Sequence, residues 1–205
     1  MNRTTLMTLI AAVALVAASC NTSTKMMETW RDPTYTPHVA SKVLVIGLGI
    51  NDRQTHMFES IMGEHLGERK VTVVPGSTVM PKDSVQIEEL KKIVQNTGSE
   101  LAIVTRLKGV ETEKEYVPGT TAYVPTSAHY GFYPYYYSSY ALVHTPGYVT
   151  EYKVFKVETN VYDVKDAKLI WSGLSRTADP TDPSDAMHSL AAAVVRELNG
   201  QKLIP

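Results

Sequence analysis

The chain carries one cysteine, Cys20, in 205 residues. That excludes an internal disulfide and any multi-cysteine zinc or iron–sulfur site. Charge imbalance is missing as well: 20 Lys and Arg stand against 21 Asp and Glu, so nothing global points to nucleic acid as a partner. No apolar run reaches the roughly 20 residues a membrane-spanning helix needs. The familiar chemical signatures are absent too. Gly47-Leu48-Gly49 follows an apolar run, but position 52 is Asp where a dinucleotide-binding GxGxxG requires its third glycine. There is no phosphate-loop GKS or GKT, no HExxH and no GxSxG. None of the histidines at 38, 56, 65, 129, 144 and 188 has a second His or Cys at ligand spacing. His56 and His65 read as surface or packing residues. His129 and His144 flank a carboxylate-free segment and form an incomplete metal candidate. Asp179, Asp182 and Asp185 are accounted for by a loop and a helix cap. No residue earns a catalytic role.

What is present begins with 43% hydrophobic residues, enough to exclude a wholly disordered chain and to furnish one domain with its own core. Met1–Thr5 is short and positively charged through Arg3, and Leu6–Ala18 is apolar except for Thr8. This is the form of a secretory signal, apolar all round rather than striped. The run ends Ala17-Ala18-Ser19-Cys20, which resembles the bacterial lipobox, with Ala17 where Leu is commoner. The resemblance implies cleavage before Cys20, an S-diacylglycerol on its thiol and acylation of the new amino terminus. Such chains, at about 0.8 kcal/mol per buried methylene, hold a protein on a bilayer without a spanning helix. Asn21 stands where Asp would signal inner-membrane retention, so the expected address is the periplasmic face of the outer membrane. No cofactor besides this covalent lipid is expected. The expected divisions are a signal peptide at 1–19, a lipidated tether and approach segment at 20–40 docked by Trp30 and Tyr35, and a single α/β domain at 41–200.

Within that domain, Lys42–Leu48 is a β-branched apolar run of strand length, suited to a strand covered on both faces. Asn51 or Asp52 caps a helix with a Phe58, Ile61/Met62, His65/Leu66 stripe that stops at Gly67. Lys70–Val74 is a second strand. Asp83-x-x-Gln86 reads as a capping box for a helix striped by Ile87, Leu90, Ile93/Val94 and Thr97 and closed by Gly98. Leu101–Leu107 is a third strand, which Gly109–Val117 continues as a ribbon with Glu111, Glu113 and Glu115 on a solvated face. Val154–Tyr162 and Leu169–Arg176 pair across a turn at Asp163–Lys168, with Trp171 in the core. Asp182-Pro183 opens a last helix that ends at Asn199-Gly200. The order is β-α-β-α-β-β-β-α: a mixed α/β sheet with helices packed on it and one insertion.

The insertion, residues 118–150, contains no charged residue, while 116–152 holds ten of the twelve tyrosines. Prolines at 118, 125, 134 and 146 exclude a regular central strand or a long helix. The segment reads either as a flexible low-complexity loop, which amphipathic tyrosine keeps soluble without charge, or as an interaction surface, since tyrosine offers large contact area at low entropy cost. The candidate surface is Tyr130, Tyr133, Tyr135, Tyr136, Tyr137 and Tyr140, supported by Tyr148 and Tyr152.

Thr29–Tyr35 (TWRDPTY), KVLVIGL, Ala102–Gly119 and Glu158–Pro180, taken with Cys20 and the aromatic insert, resemble a family of uncharacterised Gram-negative lipoproteins with one periplasmic domain. The resemblance implies a fold similar to envelope-assembly lipoproteins and to the amino-terminal domain of the periplasmic Tol propeller protein. It implies no activity and no catalytic residues. The leading functional expectation is a membrane-anchored module that meets an envelope protein or a second copy of itself. The alternative is a binder of glycan, lipid or another small ligand. An envelope hydrolase would require Asp163, Asp166 and His188 to converge.

Overall fold

The computed structural model describes residues 24–81, 86–123 and 142–205. Cys20, the leader, Asp83 and Tyr130–Tyr140 lie outside the described residues. The mixed α/β architecture read from the sequence is the observed one. Its elements are β1 (Thr24–Arg31), β2 (Lys42–Leu48), α1 (Asp52–Gly67), β3 (Thr72–Pro75), α2 (Gly76–Val79), α3 (Ile87–Asn96), β4 (Leu101–Val117), β5 (Thr120–Tyr123), β6 (Leu142–Thr145), β7 (Tyr148–Asp163), β8 (Lys168–Ala178) and α4 (Pro183–Gly200). Two compact units result, one holding Thr112–Lys153 and the other the rest of the described chain.

The larger unit is built on a six-stranded sheet in the order β1-β8-β7-β4-β2-β3. β2 runs parallel to both β3 and β4, and β8 runs antiparallel to β7 and β1. Because β3 and β4 flank β2 on opposite sides, right-handed crossovers put α1 and α3 on opposite faces. The alternation of β2 agrees. Val43 and Val45 join Phe58, Ile61, Met62 and Leu66 of α1 in the core, whereas Leu44 and Ile46 face α3. α4 adds Leu190, Ala191, Val194, Val195 and Leu198 to the same core, and Trp171 of β8 is fully buried in it. Each such side chain contributes roughly 1.5–3 kcal/mol by leaving water. Leu203 and Ile204 close the core after α4, with Ala40 N–H donating to the Leu203 carbonyl at 2.9 Å.

The caps follow the sequence closely. Asn51 accepts from the Gln54 N–H at 2.9 Å, Asp182 from the Asp185 N–H at 3.0 Å, and Pro183 opens α4. Gly98 ends its helix at φ +65° and Gly49 turns the chain out of β2 at +79°, conformations that favour glycine. Gly47 is glycine for a different reason: a Cβ there would lie 3.1 Å from Phe58 Cδ1.

Three features depart from the expectations. Thr24–Arg31, within the segment read as tether and approach, is an edge strand on β8 with a register shift between Met26 and Glu28. Only Thr24 of this strand is buried, so backbone pairing rather than an apolar pattern makes it a strand. Gln86 is itself the N-cap of α3, without a side-chain hydrogen bond, rather than the third helical residue of a capping box. And α3, striped as expected, buries none of its residues; Ile87 is 80% exposed.

The smaller unit comprises residues 112–117 of β4, the antiparallel pair β5–β6 and residues 148–153 of β7. Lys114 pairs with Glu151 at 2.6 Å, and the Tyr152 hydroxyl donates to Glu113 at 3.0 Å. The acidic ribbon is thus partly neutralised across the strands.

Candidate functional site

Four places in the described chain bear on function. The first is the smaller unit, where Tyr116 is 64% and Tyr148 58% exposed, with Val149 beside them equally open. Tyr116 rests on Gly147, where a Cβ would lie 2.8 Å from its Cζ, so the glycine admits the ring to the backbone. Tyr152, by contrast, is tied down through Glu113. Of the tyrosines singled out in the sequence, only these last two positions, Tyr148 and Tyr152, belong to the described residues. Tyr116, which preceded the charge-free stretch, joins them.

The second is a cavity of about 300 Å³ between α3 and the sheet. It is lined by Leu44, Ile46, Leu90, Val94, Val104 and Tyr162, with Lys91 and Asp163 as its charged neighbours. Asp163 is already engaged: Oδ1 accepts from the Lys165 and Asp166 N–H groups and Oδ2 from the Tyr35 hydroxyl. The walls therefore offer apolar surface and few free hydrogen-bonding groups, which suits an aliphatic or aromatic occupant and not a sugar.

The third is a polar chain running Asp163, Tyr35, His38, Glu100. The Tyr35 hydroxyl lies 3.2 Å from Asp163 Oδ2 and 2.9 Å from His38 Nδ1, and His38 Nε2 lies 3.4 Å from Glu100. The order hydroxyl, imidazole, carboxylate is that of an activated nucleophile and its base. Its electrostatics run the other way. Burial, then the charge and hydrogen bond of Asp163, push the Tyr35 hydroxyl up to about 12, so it remains a donor. Glu100 is held below its usual value first by the Ser41 N–H, and it also accepts from the Ser41 hydroxyl and the Lys42 N–H. The chain fastens the segment between β1 and β2 to the ends of β4 and β7. Trp30, its expected companion anchor, is 48% exposed on β1.

The fourth is the meeting of His65 with His188, Nε2 to Nδ1, at 3.3 Å. The convergence a hydrolase would need does not occur. Asp163 and Asp166 share a turn, while His188 is engaged by α1 instead. Among the described residues no three His, Cys, Asp or Glu side chains are grouped to hold a metal ion, and no helix is long and apolar enough to cross a membrane.

The fold is thus an open mixed sheet, well covered by two helices on one face and partly by one on the other. No family model matches the chain, and no curated protein matches it. Solved structures give distant likenesses. A PelC dodecamer from Paraburkholderia phytofirmans is 12% identical, over 85% of this chain and 96% of that one, at a TM-score of 0.47. The lipoprotein GNA1162 from Neisseria meningitidis is 15% identical, over 78% and 99%, at 0.40. A PDZ domain protein from Parabacteroides distasonis is 10% identical, over 93% and 39%, at 0.33. Likeness at this level carries no argument about function. The family resemblance drawn from the sequence is corrected on other grounds: no family model matches the chain, and its sheet is open, ending on the edges β1 and β3 and not closed into a propeller.

Proposed function

We propose that this chain is a lipid-anchored, non-catalytic interaction module of the cell envelope, held at the periplasmic face of the outer membrane through acylated Cys20. Its contact surface is the tyrosine-rich part of the smaller unit, and its partner is an envelope protein or a second copy of the chain. The observation that carries this reading is the exposure of Tyr116, Tyr148 and Val149 in the described part of that unit, beside a stretch without charge. Large exposed side chains grouped on one small unit suit a contact surface. Tethering raises the local concentration of such a surface, so a weak interface suffices. Crosslinking in intact cells tests it: replacing Tyr133, Tyr135, Tyr136 and Tyr137 with Ser is expected to abolish the crosslinked partner bands. Unchanged bands would refute the surface. Labelled palmitate should enter the wild-type chain and not Cys20→Ser; equal labelling would refute the anchor.

A second reading is favoured by the cavity under α3. Its apolar walls with Lys91 beside them fit the tail and head of an anionic amphiphile, a lipid rather than a glycan. Co-purified lipid that disappears on Val104→Lys would support it.

A further inference from the structure

One row of the larger sheet, near the start of β1, carries like charges. Lys25 of β1 stands directly opposite Arg176 of β8, and Arg176 directly opposite Lys156 of β7. Residues paired in this way share one face of a sheet. Trp171 lies in the core, and Ser175 and Thr177, at even spacing from it, are buried on its side; Arg176 and its two partners turn to the other face. At a ladder spacing of about 4.8 Å the three cations span about 10 Å. Like charges directly opposite each other destabilise a sheet, so strand pairing gives no reason for the row. Nearby carboxylates offset it incompletely. Glu111 takes Lys156 at 2.7 Å, Glu158 takes Lys108 at 3.8 Å, and Glu28 stands in the next row opposite Leu174. Lys25 itself is exposed at the rim.

We propose that this row docks the larger unit on an anionic lipid bilayer, with headgroup phosphates against Lys25, Arg176 and Lys156. The setting rests on the anchored reading of Cys20 given above. Lys25 follows Cys20 by five residues, a stretch of at most about 18 Å, so an acylated Cys20 holds this end of β1 beside the headgroups. On the same face Trp30, opposite Ser172, is 48% exposed, and tryptophan favours the headgroup level of a bilayer. Each lysine or arginine near an anionic surface is worth about fivefold in binding. With the anchor confining the chain, so weak an attraction suffices to decide which face meets the membrane.

The test uses residues 20–205, which keep every described element, with Cys20→Ser so that no acyl chain contributes; its outcome is therefore independent of the palmitate labelling that tests the anchor. Sedimentation with vesicles at low ionic strength compares pure phosphatidylcholine with a mixture holding one-third phosphatidylglycerol. The chain is expected to bind the anionic vesicles at least about fivefold more tightly, and the preference should fade as salt shortens the Debye length below about 10 Å. Arg176→Ala should weaken binding to the anionic vesicles about fivefold and Lys25→Glu about tenfold, without effect on the neutral ones. Lys25→Glu also sets opposite charges face to face, so its urea midpoint should hold or rise while binding falls, which separates docking from folding. Arg69→Ala, an exposed cation at the end of α1, should leave binding intact. Equal binding to both vesicle types, or binding within twofold of wild type in both Lys25→Glu and Arg176→Ala, overturns the proposal. Binding of inorganic phosphate without binding of vesicles overturns it too, and assigns the row to a soluble anion.

Discussion

Glu59 is the residue whose removal the structure prices most clearly. It is 1% exposed, on α1, with no cation among its partners. One oxygen accepts from the Gly47 N–H at 3.3 Å; the other accepts from the Ser77 N–H at 2.9 Å and the Ser77 hydroxyl at 2.5 Å. It thereby joins the end of β2 to the first turn of α2. Gly76 lies so close that a Cβ there would sit 3.2 Å from Glu59 Oε1 and 2.9 Å from the Val45 carbonyl oxygen. Glu59→Ala leaves two backbone donors without their acceptor, at about 1–3 kcal/mol each, and vacates the space of a carboxylate and one methylene, the latter at about 0.8 kcal/mol. Relief from burying a carboxylate offsets part of this, so the net expected loss is about 3–5 kcal/mol. With a urea slope of about 2 kcal/mol/M, the midpoint should fall by about 2 M. Glu59→Gln keeps an oxygen for Ser77 and opposes its amide to the Gly47 N–H, the longer contact, so its cost should be only about 1–3 kcal/mol. The reasoning fails if the alanine variant stays within 1 kcal/mol of wild type, or if glutamine costs as much as alanine.

The ion pair of Asp32 with Lys168 predicts an acid-side loss of stability. The Lys168 hydrogen bond, then those from Thr34, lower the Asp32 carboxyl from 3.8 to about 2, so its contribution is present above about pH 4 and is lost as pH falls towards 2. The drop in thermal midpoint between pH 4 and 2 should be smaller in Asp32→Asn; an equal drop refutes the assignment. Tyr35 gives the alkaline counterpart: its hydroxyl is raised from 10.0 to about 12, so stability present below pH 10 declines as pH climbs to 12, and Tyr35→Phe should flatten that decline and remove the latest step of the phenolate absorbance titration. Gly173→Ala and Ala102→Val should differ in cost, because a Cβ at 173 would lie 2.9 Å from Trp171 Cζ2 and meet Met26 as well, whereas Ala102 lines open space under α3. Urea unfolding should show a loss of about 1–3 kcal/mol for the first and none for the second.

The elements that were legible in the sequence are those whose cause is local. β2 and β4 are apolar runs, α1 and α4 carry caps within three residues of their first turns, and the turn between β7 and β8 sits in the polar stretch Asp163–Lys168. β1 was not legible, because TKMMETWR buries only its first residue and owes its strand to hydrogen bonds with β8. Glu59 occupies a polar slot between Phe58 and Ile61, and its burial depends on Ser77 coming from another element. His65 reads as one of an α1 stripe; its partner on α4 is fixed only by the packing of two helices.

α3 has the apolar period its sequence predicts and yet buries none of its residues, for a reason of size. An amphipathic period states that one face is apolar, not that the fold covers it. Six strands span about 24 Å across their hydrogen bonds, while one helix covers about 10 Å. Two helices, α1 and α4, therefore suffice for one face. On the other, α3 stands alone, and the sequence answers with polar residues where it does not reach, such as the Lys108–Glu158 pair at 3.8 Å. Leu44, Ile46 and Val104 lie under a helix of only ten residues, and there apolar surface exceeds its cover. Composition cannot reveal such a cavity, since its walls are ordinary strand residues. The tyrosine stretch is the opposite case, obvious in composition because 33 consecutive residues lack charge. A surface made of unusual residues can thus be found by counting, whereas one made by a missing layer emerges only when strands and helices are counted against each other.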